Sequence, residues 1–158
     1  MSDPDQILKA ARARAREKGL PYEGALLPAE ANALREKHPG AKLVDVRSRA
    51  ELEFVGRVPG AVEIEWKSYP GMKPNPDFVA QLKEKVPQDA LVMFLCRSGG
   101  RSHDTAVAAT EAGYAEAYNI LEGFEGDRDG SGHRNTVGGW RRSEEHTSEL
   151  QSLAYLVC

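Results

Sequence analysis

A chain of 158 residues fits one domain, and a domain of that size buries roughly two-thirds of the surface its unfolded form exposes, so it needs no disulfide or metal staple to fold. Its composition, 41% hydrophobic and 28% charged with 15 Gly and 9 Pro scattered along the chain, excludes disorder, and no apolar run approaches the roughly 20 residues of a membrane span. A formal charge of −3 supplies no basic field of the kind nucleic acids or membrane surfaces attract, so neither is expected as a partner.

The first element is a helix. Asp3 followed by Pro4 reads as an N-cap with proline at the first helical position, and Ile7, Leu8, Ala11 and Ala15 form one apolar stripe that stops before Gly19. This segment lacks the apolar region of a signal peptide, which points to the cytoplasm. Arg12, Arg14, Arg16 and Lys18 lie mostly off the stripe and read as a solvated face, the other use being a docking surface for an acidic partner. Residues 1–20 are therefore read as a helical extension, and 21–141 as the domain proper.

That domain alternates strand and helix. Ala25 to Leu27 is a short apolar piece, Pro28 to Lys37 a helix opened by proline, Pro39-Gly40 a turn and Leu43 to Val46 a strand. "SRAELEF" makes a helix of two turns, with Ser48 as cap and Glu51 three residues on. The turn "GRVPGA" leads to a strand over Ala61 to Ile64, "YPGMKPNP" is loop, and Asn75-Pro76 opens a helix through Lys85 with Phe78, Val79 and Leu82 on one side. Leu91 to Leu95 is a continuously apolar run of the kind a fully buried parallel strand shows. A helix from Ser102 to Ala112 stops at Gly113, Tyr118 to Leu121 forms the last strand, and Gly123 to Gly139 is a glycine-rich loop with Trp140 beyond it. The alternation predicts an α/β fold: a small, doubly wound parallel sheet with helices on both faces.

The tail breaks this pattern. Residues 142–158, "RSEEHTSELQSLAYLVC", look like the translation of a sequencing-adapter oligonucleotide and are set aside as a non-native tail. From Ser143 onward it holds Glu144, Glu145 and Glu149 and neither Lys nor Arg, so the charge without it is −3 plus 3, or 0.

Chemistry concentrates in "LVMFLCRSGGRSHDTAVAA". Cys96 and Cys158 make no disulfide framework and no C-x-x-C spacing is present, so Cys96 is expected to be a free thiol. It stands at the carboxyl end of a strand, where open α/β sheets bind ligands, and just ahead of a helix N-terminus. The backbone N–H groups of Arg97, Ser98, Gly99, Gly100, Arg101 and Ser102 have no partner within the helix, and the paired glycines allow the loop to curl so that several point at one spot. Such a nest holds anions, and with Arg97 and Arg101 beside it should favour the thiolate, making Cys96 a nucleophile. His103 sits at the start of that helix and is expected to face solvent. "DRDGSG", with Asp127 and Asp129, lacks the glutamate at the twelfth position that a calcium loop needs, and His38 and His133 complete no metal pattern. No metal or organic cofactor is expected. Trp66, Tyr69 and Trp140 read as packing or as the rim of a pocket.

Two motifs carry a resemblance. "LVDVRSRAELEFVGRVPGAVEIEW" resembles the D-V-R and G-[HR]-[IV]-P-G-A signature of the rhodanese-like sulfurtransferases, and "VMFLCRSGGRS" is similar to their strand and active loop. The likeness runs from about Gly24 to Trp140. It implies a doubly wound α/β domain in which the loop cysteine takes a sulfane sulfur from a donor such as thiosulfate, holds it as a persulfide and passes it to a thiol or cyanide. On that resemblance Cys96 is the nucleophile, Arg97 and Arg101 bind the anionic end of a donor or acceptor, and Asp45 and Arg47 hold the loop and its surroundings. The partners so implied are a small sulfur donor and a thiol acceptor, or an acceptor protein.

Two other functions share this scaffold. Cysteine-dependent phosphatases and arsenate reductases use a nucleophilic loop of the same kind, but the phosphatase spacing is C-x5-R, whereas Cys96 to Arg101 is C-x4-R, a tighter loop that suits a sulfur atom better than a phosphate. A slow persulfide carrier or binding module would keep Cys96 while turning over poorly with small acceptors.

Overall fold

The computed structural model describes residues 3–68, 71, 73–97 and 100–123. The expectations for Tyr69, Ser98 and Gly99, for the loop carrying Asp127, Asp129, His133 and Trp140, and for the 142–158 tail lie outside those residues.

Helix α1 (Pro4–Lys18) is capped by the Asp3 side chain, which accepts from the Gln6 amide at 3.1 Å, and ends at Gly19 in a left-handed conformation. Its buried residues are Ile7, Leu8, Ala11 and Ala15, the stripe that the sequence periodicity marks. Arg16 and Lys18 are exposed, but Arg12 and Arg14 are not part of a solvated face. Arg12 reaches Glu23 at 2.9 Å and Glu116 at 3.2 Å; Arg14 donates to the Ala25 carbonyl at 2.5 Å and to Glu30 at 3.0 Å. Two of the helix's five basic side chains thus fasten α1 to the fold.

The chain continues through β1 (Gly24–Leu26), α2 (Pro28–Lys37), β2 (Ala41–Asp45), α3 (Arg49–Val55), β3 (Val62–Glu63), β4 (Lys67–Ser68), β5 (Lys73–Pro74), α4 (Phe78–Lys85), β6 (Leu91–Leu95), α5 (Gly100–Glu111) and β7 (Ala117–Ile120). Among the described residues, five strands form a parallel sheet in the order β1-β7-β6-β2-β3. The side chains of β6 alternate: Leu91, Met93 and Leu95 join a core with α1 and α2, while Val92, Phe94 and Cys96 join a second core with α4 and α5. Each face of the sheet therefore carries its own apolar core, which is the doubly wound arrangement.

Three details differ from the sequence reading. The segment read as loop after Trp66 holds a short antiparallel hairpin, with Lys67 opposite Pro74 and Ser68 opposite Lys73. Strands of two residues leave no alternation to detect, and the hairpin is held by Asn75, whose amide donates to the Glu65 carbonyl at 2.8 Å. Helix α4 starts at Phe78 because the Asn75 side chain accepts from the Asp77 amide at 3.0 Å, a local turn that keeps Pro76 outside the helix. Helix α5 starts at Gly100, two residues earlier than the apolar pattern indicates.

Glycine is required at one crowded place. A Cβ on Gly24 would lie 2.6 Å from the ring of Tyr118, its register partner on β7, so the two strands pair only because β1 has no side chain there.

Candidate active site

Strand β6 delivers Cys96 to the carboxyl edge of the sheet, buried at 1% exposure, and α5 begins four residues later. Cys96 continues the face of Val92 and Phe94, whereas Asp45, whose register partner is Leu95, continues the face of Leu43. Carboxylate and sulfur therefore leave adjacent strands on opposite sides, and the thiol is spared a carboxylate against it. Asp45 is occupied by Arg47. The guanidinium donates to both carboxylate oxygens, at 3.0 Å from Nε and 2.7 Å from Nη2, and the Arg47 amide adds a third donor at 3.1 Å. Both side chains are 0% exposed. This buried pair closes the end of β2, where the Val46 amide donates to the Leu95 carbonyl at 2.8 Å and so ties β2 to the residue before the cysteine.

Arg101, in the first turn of α5, is bonded to a partner that reading the sequence did not assign to it. Its two terminal nitrogens donate to the two oxygens of Glu51 at 2.6 and 2.7 Å. Glu51 also closes the capping box of α3, accepting from the Ser48 amide at 3.1 Å and the Ser48 hydroxyl at 2.9 Å. Burial alone would raise the carboxyl's pKa, but the bonds and charge of Arg101, with the two donors of Ser48, outweigh it and bring it down to about 2. The capping-box spacing is a visible signal for the Ser48 contact; nothing local signals a partner 50 residues away.

Arg97, the residue after Cys96, is partly exposed. Gly100 has open space where a Cβ would be and is absent from the residues with positive φ, so among the described residues nothing demands glycine there for a curled backbone. Ser102 is 0% exposed, with its hydroxyl 3.3 Å from the Cys96 sulfur and donating to Asn119 Oδ1 at 2.5 Å. The Asn119 amide in turn donates to the Tyr22 hydroxyl at 3.3 Å, and Tyr22 shares a hydrogen bond of 2.8 Å with His103 Nδ1. His103, expected at the solvent, is half-buried, its ring edge-on to Tyr22 at 5.3 Å between centroids. Trp66 packs edge-on against Phe78 at 5.1 Å, as a core residue does.

A cleft of about 590 Å³ opens beside the end of β2, between α3, β3, the β4–β5 hairpin and α4, with Arg47, Arg49, Arg57, Glu53, Glu63 and Gln81 among its walls. Two wall arginines are paired, Arg49 with Glu53 at 3.3 Å and Arg57 with Glu63 at 3.0 Å. Among the described residues no three His, Cys, Asp or Glu side chains gather as a metal site would need, and no helix is long and apolar enough to cross a membrane.

The family model for the rhodanese-like domain matches residues 27–128, more than half of the chain. The crystal structure of Rv0390 from M. tuberculosis superposes with a TM-score of 0.70 and 43% sequence identity, covering 77% of this chain and 94% of that one. The RC0915 protein of Rickettsia conorii is 35% identical over 107 residues, 64% of this chain and 83% of its own. Thiosulfate sulfurtransferase 16 of Arabidopsis thaliana, a chloroplastic protein, is 30% identical over 87 residues, 54% of this chain and 72% of its own.

Proposed function

The chain belongs to the rhodanese-like domain family, and from that premise we propose that it is a sulfurtransferase that carries sulfane sulfur as a persulfide on Cys96. The observation that carries the reading is the seat of Cys96, at the carboxyl end of β6 and four residues before α5. A helix N-terminus presents unpaired N–H donors and the positive end of its dipole, which favour an anionic sulfur. The likeness to a thiosulfate sulfurtransferase supports an anionic donor.

The reaction runs in two displacements. The Cys96 thiolate attacks the outer sulfur of a thiosulfate-like donor; the new Cys96 S–S bond forms as the donor's own S–S bond breaks, and the electron pair departs with sulfite. A thiolate acceptor then attacks the outer sulfur of the persulfide, which breaks the Cys96 S–S bond and returns Cys96 as thiolate, while cyanide as acceptor leaves as thiocyanate. Covalent capture replaces one difficult transfer by two easier ones. Negative charge stays on sulfur throughout, so the helix terminus serves both steps. Arg97, the partly exposed residue that follows Cys96, is our candidate for the cation that meets the donor's oxygens. Arg101 acts at one remove, by holding the start of α5 against Glu51.

The test is direct. Incubation with thiosulfate should add the mass of one sulfur atom to the intact protein, and cyanide should remove it as thiocyanate. Cys96→Ser should do neither. Sulfur transfer surviving in that variant, or a wild type that gains no mass, overturns the assignment.

A further inference from the structure

An open sheet ends in two strands whose outward backbone groups have no ladder to join. In this sheet they are β1 and β3. On β1 the Leu26 carbonyl turns to β7, accepting from the Leu121 amide at 2.7 Å, so Ala25 beside it turns outward, and its carbonyl is taken by Arg14 of α1 at 2.5 Å. Strand β3 has no such cover. Its Ile64 and the Trp66 beyond it turn their amides to β2, donating to the carbonyls of Asp45 at 3.1 Å and Val46 at 3.2 Å. The amides of Glu63 and Glu65, which alternate with them, therefore turn away, as does the Glu63 carbonyl. Among the described residues nothing bonds these groups, whereas the next outward carbonyl, that of Glu65, accepts from Asn75 at 2.8 Å.

The uncovered edge borders the cleft of about 590 Å³, where Glu63, Ile64 and Glu65 are among the walls. An extended chain laid along β3 would turn alternate side chains towards α3 and α4, over the buried Leu52 and Ile64. Charge says which chain. Arg47, Arg49 and Arg57 are answered by Asp45, Glu53 and Glu63, and the remaining wall carboxylate, Glu65, accepts from the Arg49 amide at 2.7 Å. Lys85 on the wall, with Lys67 and Lys73 on the hairpin, has no carboxylate partner among the described residues, and neither do those two. The cleft therefore carries a positive excess beside open backbone donors, which suits an acidic segment.

We propose that the free edge of β3 is a docking site for a second protein, which adds an extended acidic segment to the sheet as a further strand. Given the persulfide on Cys96 proposed above, on which this rests, the docked protein is the sulfur acceptor. Glu63, Asp45 and Leu95 stand in register across β3, β2 and β6. Strands lie about 4.8 Å apart, so a strand added outside β3 lies about 14 Å from β6, a gap that about four or five extended residues span. A thiol that far along the partner from its docked segment comes within reach of Cys96, the residue after Leu95. Its thiolate attacks the outer sulfur of the persulfide. The new S–S bond forms on the partner as the Cys96 S–S bond breaks, and the electron pair returns to Cys96 as thiolate.

The probe is a synthetic peptide that alternates glutamate with valine and carries a cysteine after about four glycines. One twin is N-methylated throughout its backbone, which keeps every side chain and removes the donors; another has lysine in place of glutamate. Binding is read by ¹⁵N NMR on the full chain as Cys96→Ser, where no sulfur can transfer. The first peptide should shift the Glu63 and Glu65 amides and leave that of Ala25 where it is, and the methylated twin should shift none of them. The lysine twin should bind roughly tenfold more weakly, a margin that Lys85→Glu should narrow. Unmoved Glu63 and Glu65 amides, or equal binding by either twin, overturn the docking site. On wild type loaded with sulfur, the first peptide should take it up with a kcat/KM roughly tenfold above that of the methylated twin; equal rates overturn the acceptor role. A wild type that never loads overturns the persulfide reading instead, and the amide shifts still decide the docking.

Discussion

Arg101 and Glu51 clasp each other through two parallel hydrogen bonds of 2.6 and 2.7 Å, so the first turn of α5, which follows the nucleophile, is fastened to the first turn of α3. The side chains are only 15% and 10% exposed, little open to screening by salt. A planar fork matched to a carboxylate fixes direction as well as distance.

The pair makes stability depend on acid. The Glu51 carboxyl falls from 4.5 to about 2 in the folded protein. A depressed carboxyl stabilises above its unfolded value and loses that contribution as pH falls through the folded one, so the loss runs from about pH 4.5 down to about 2. It amounts to something on the order of 3 kcal/mol. Glu51→Gln should be less stable at neutral pH and should show a flatter decline across that window, measured by urea unfolding at a series of pH values. An unchanged slope would remove Glu51 from the acid transition.

Arg101→Lys keeps the charge but loses the fork. Sulfur transfer should fall by about ten- to a hundredfold in kcat/KM, since small displacements of a positioned group are costly. The intact-mass signal of the persulfide should persist at long incubation, because Cys96 itself is untouched. Full activity in this variant would show that α5 keeps its place without the clasp.

Much of this architecture is legible in the sequence because it is written locally. The stripe of α1, the proline at the start of α2, the Ser48–Glu51 capping box and the apolar run of β6 each lie within a few residues, and each appears where the pattern puts it. The β4–β5 hairpin is hidden because two residues per strand leave no period. The partners of Arg101 and His103 are hidden for another reason. Glu51 is 50 residues away and Tyr22 is 81 residues away, and only the strand order brings them together. A histidine in the first turn of a helix reads as solvated until the segment before β1 is seen to lie across it.

The Asp45–Arg47 pair should behave as buried ion pairs do. Asp45→Leu alone or Arg47→Met alone should cost about 3–5 kcal/mol by leaving the other group charged and desolvated, while the double replacement Asp45→Leu with Arg47→Met should cost clearly less. Chemical denaturation of the two single variants and the double gives the coupling. Additive costs would mean that the two side chains do not depend on each other.

Gly24→Ala tests the seam between β1 and β7. A Cβ at 2.6 Å from the Tyr118 ring must displace ring or strand, and overpacking of this kind costs about 1–3 kcal/mol. The variant should melt at lower temperature, and a second change, Tyr118→Leu, should recover part of the loss. A melting temperature equal to that of the wild type would mean that the seam yields at no cost.

Strand β1 lies against β7, and this neighbourhood sets the order in which a growing chain can finish. As synthesis proceeds from the N-terminus, β1 emerges early yet pairs with a strand made more than ninety residues later. Arg12 likewise waits for Glu116, and Tyr22 for Asn119. The apolar stripe of α1 packs into the core shared with Tyr118 and Ile120, so it too is incomplete until β7 has left the ribosome. Such long-range closure slows folding. The nascent protein therefore carries an amphipathic helix and an unpaired edge until β7 appears, and that one strand completes both in one step.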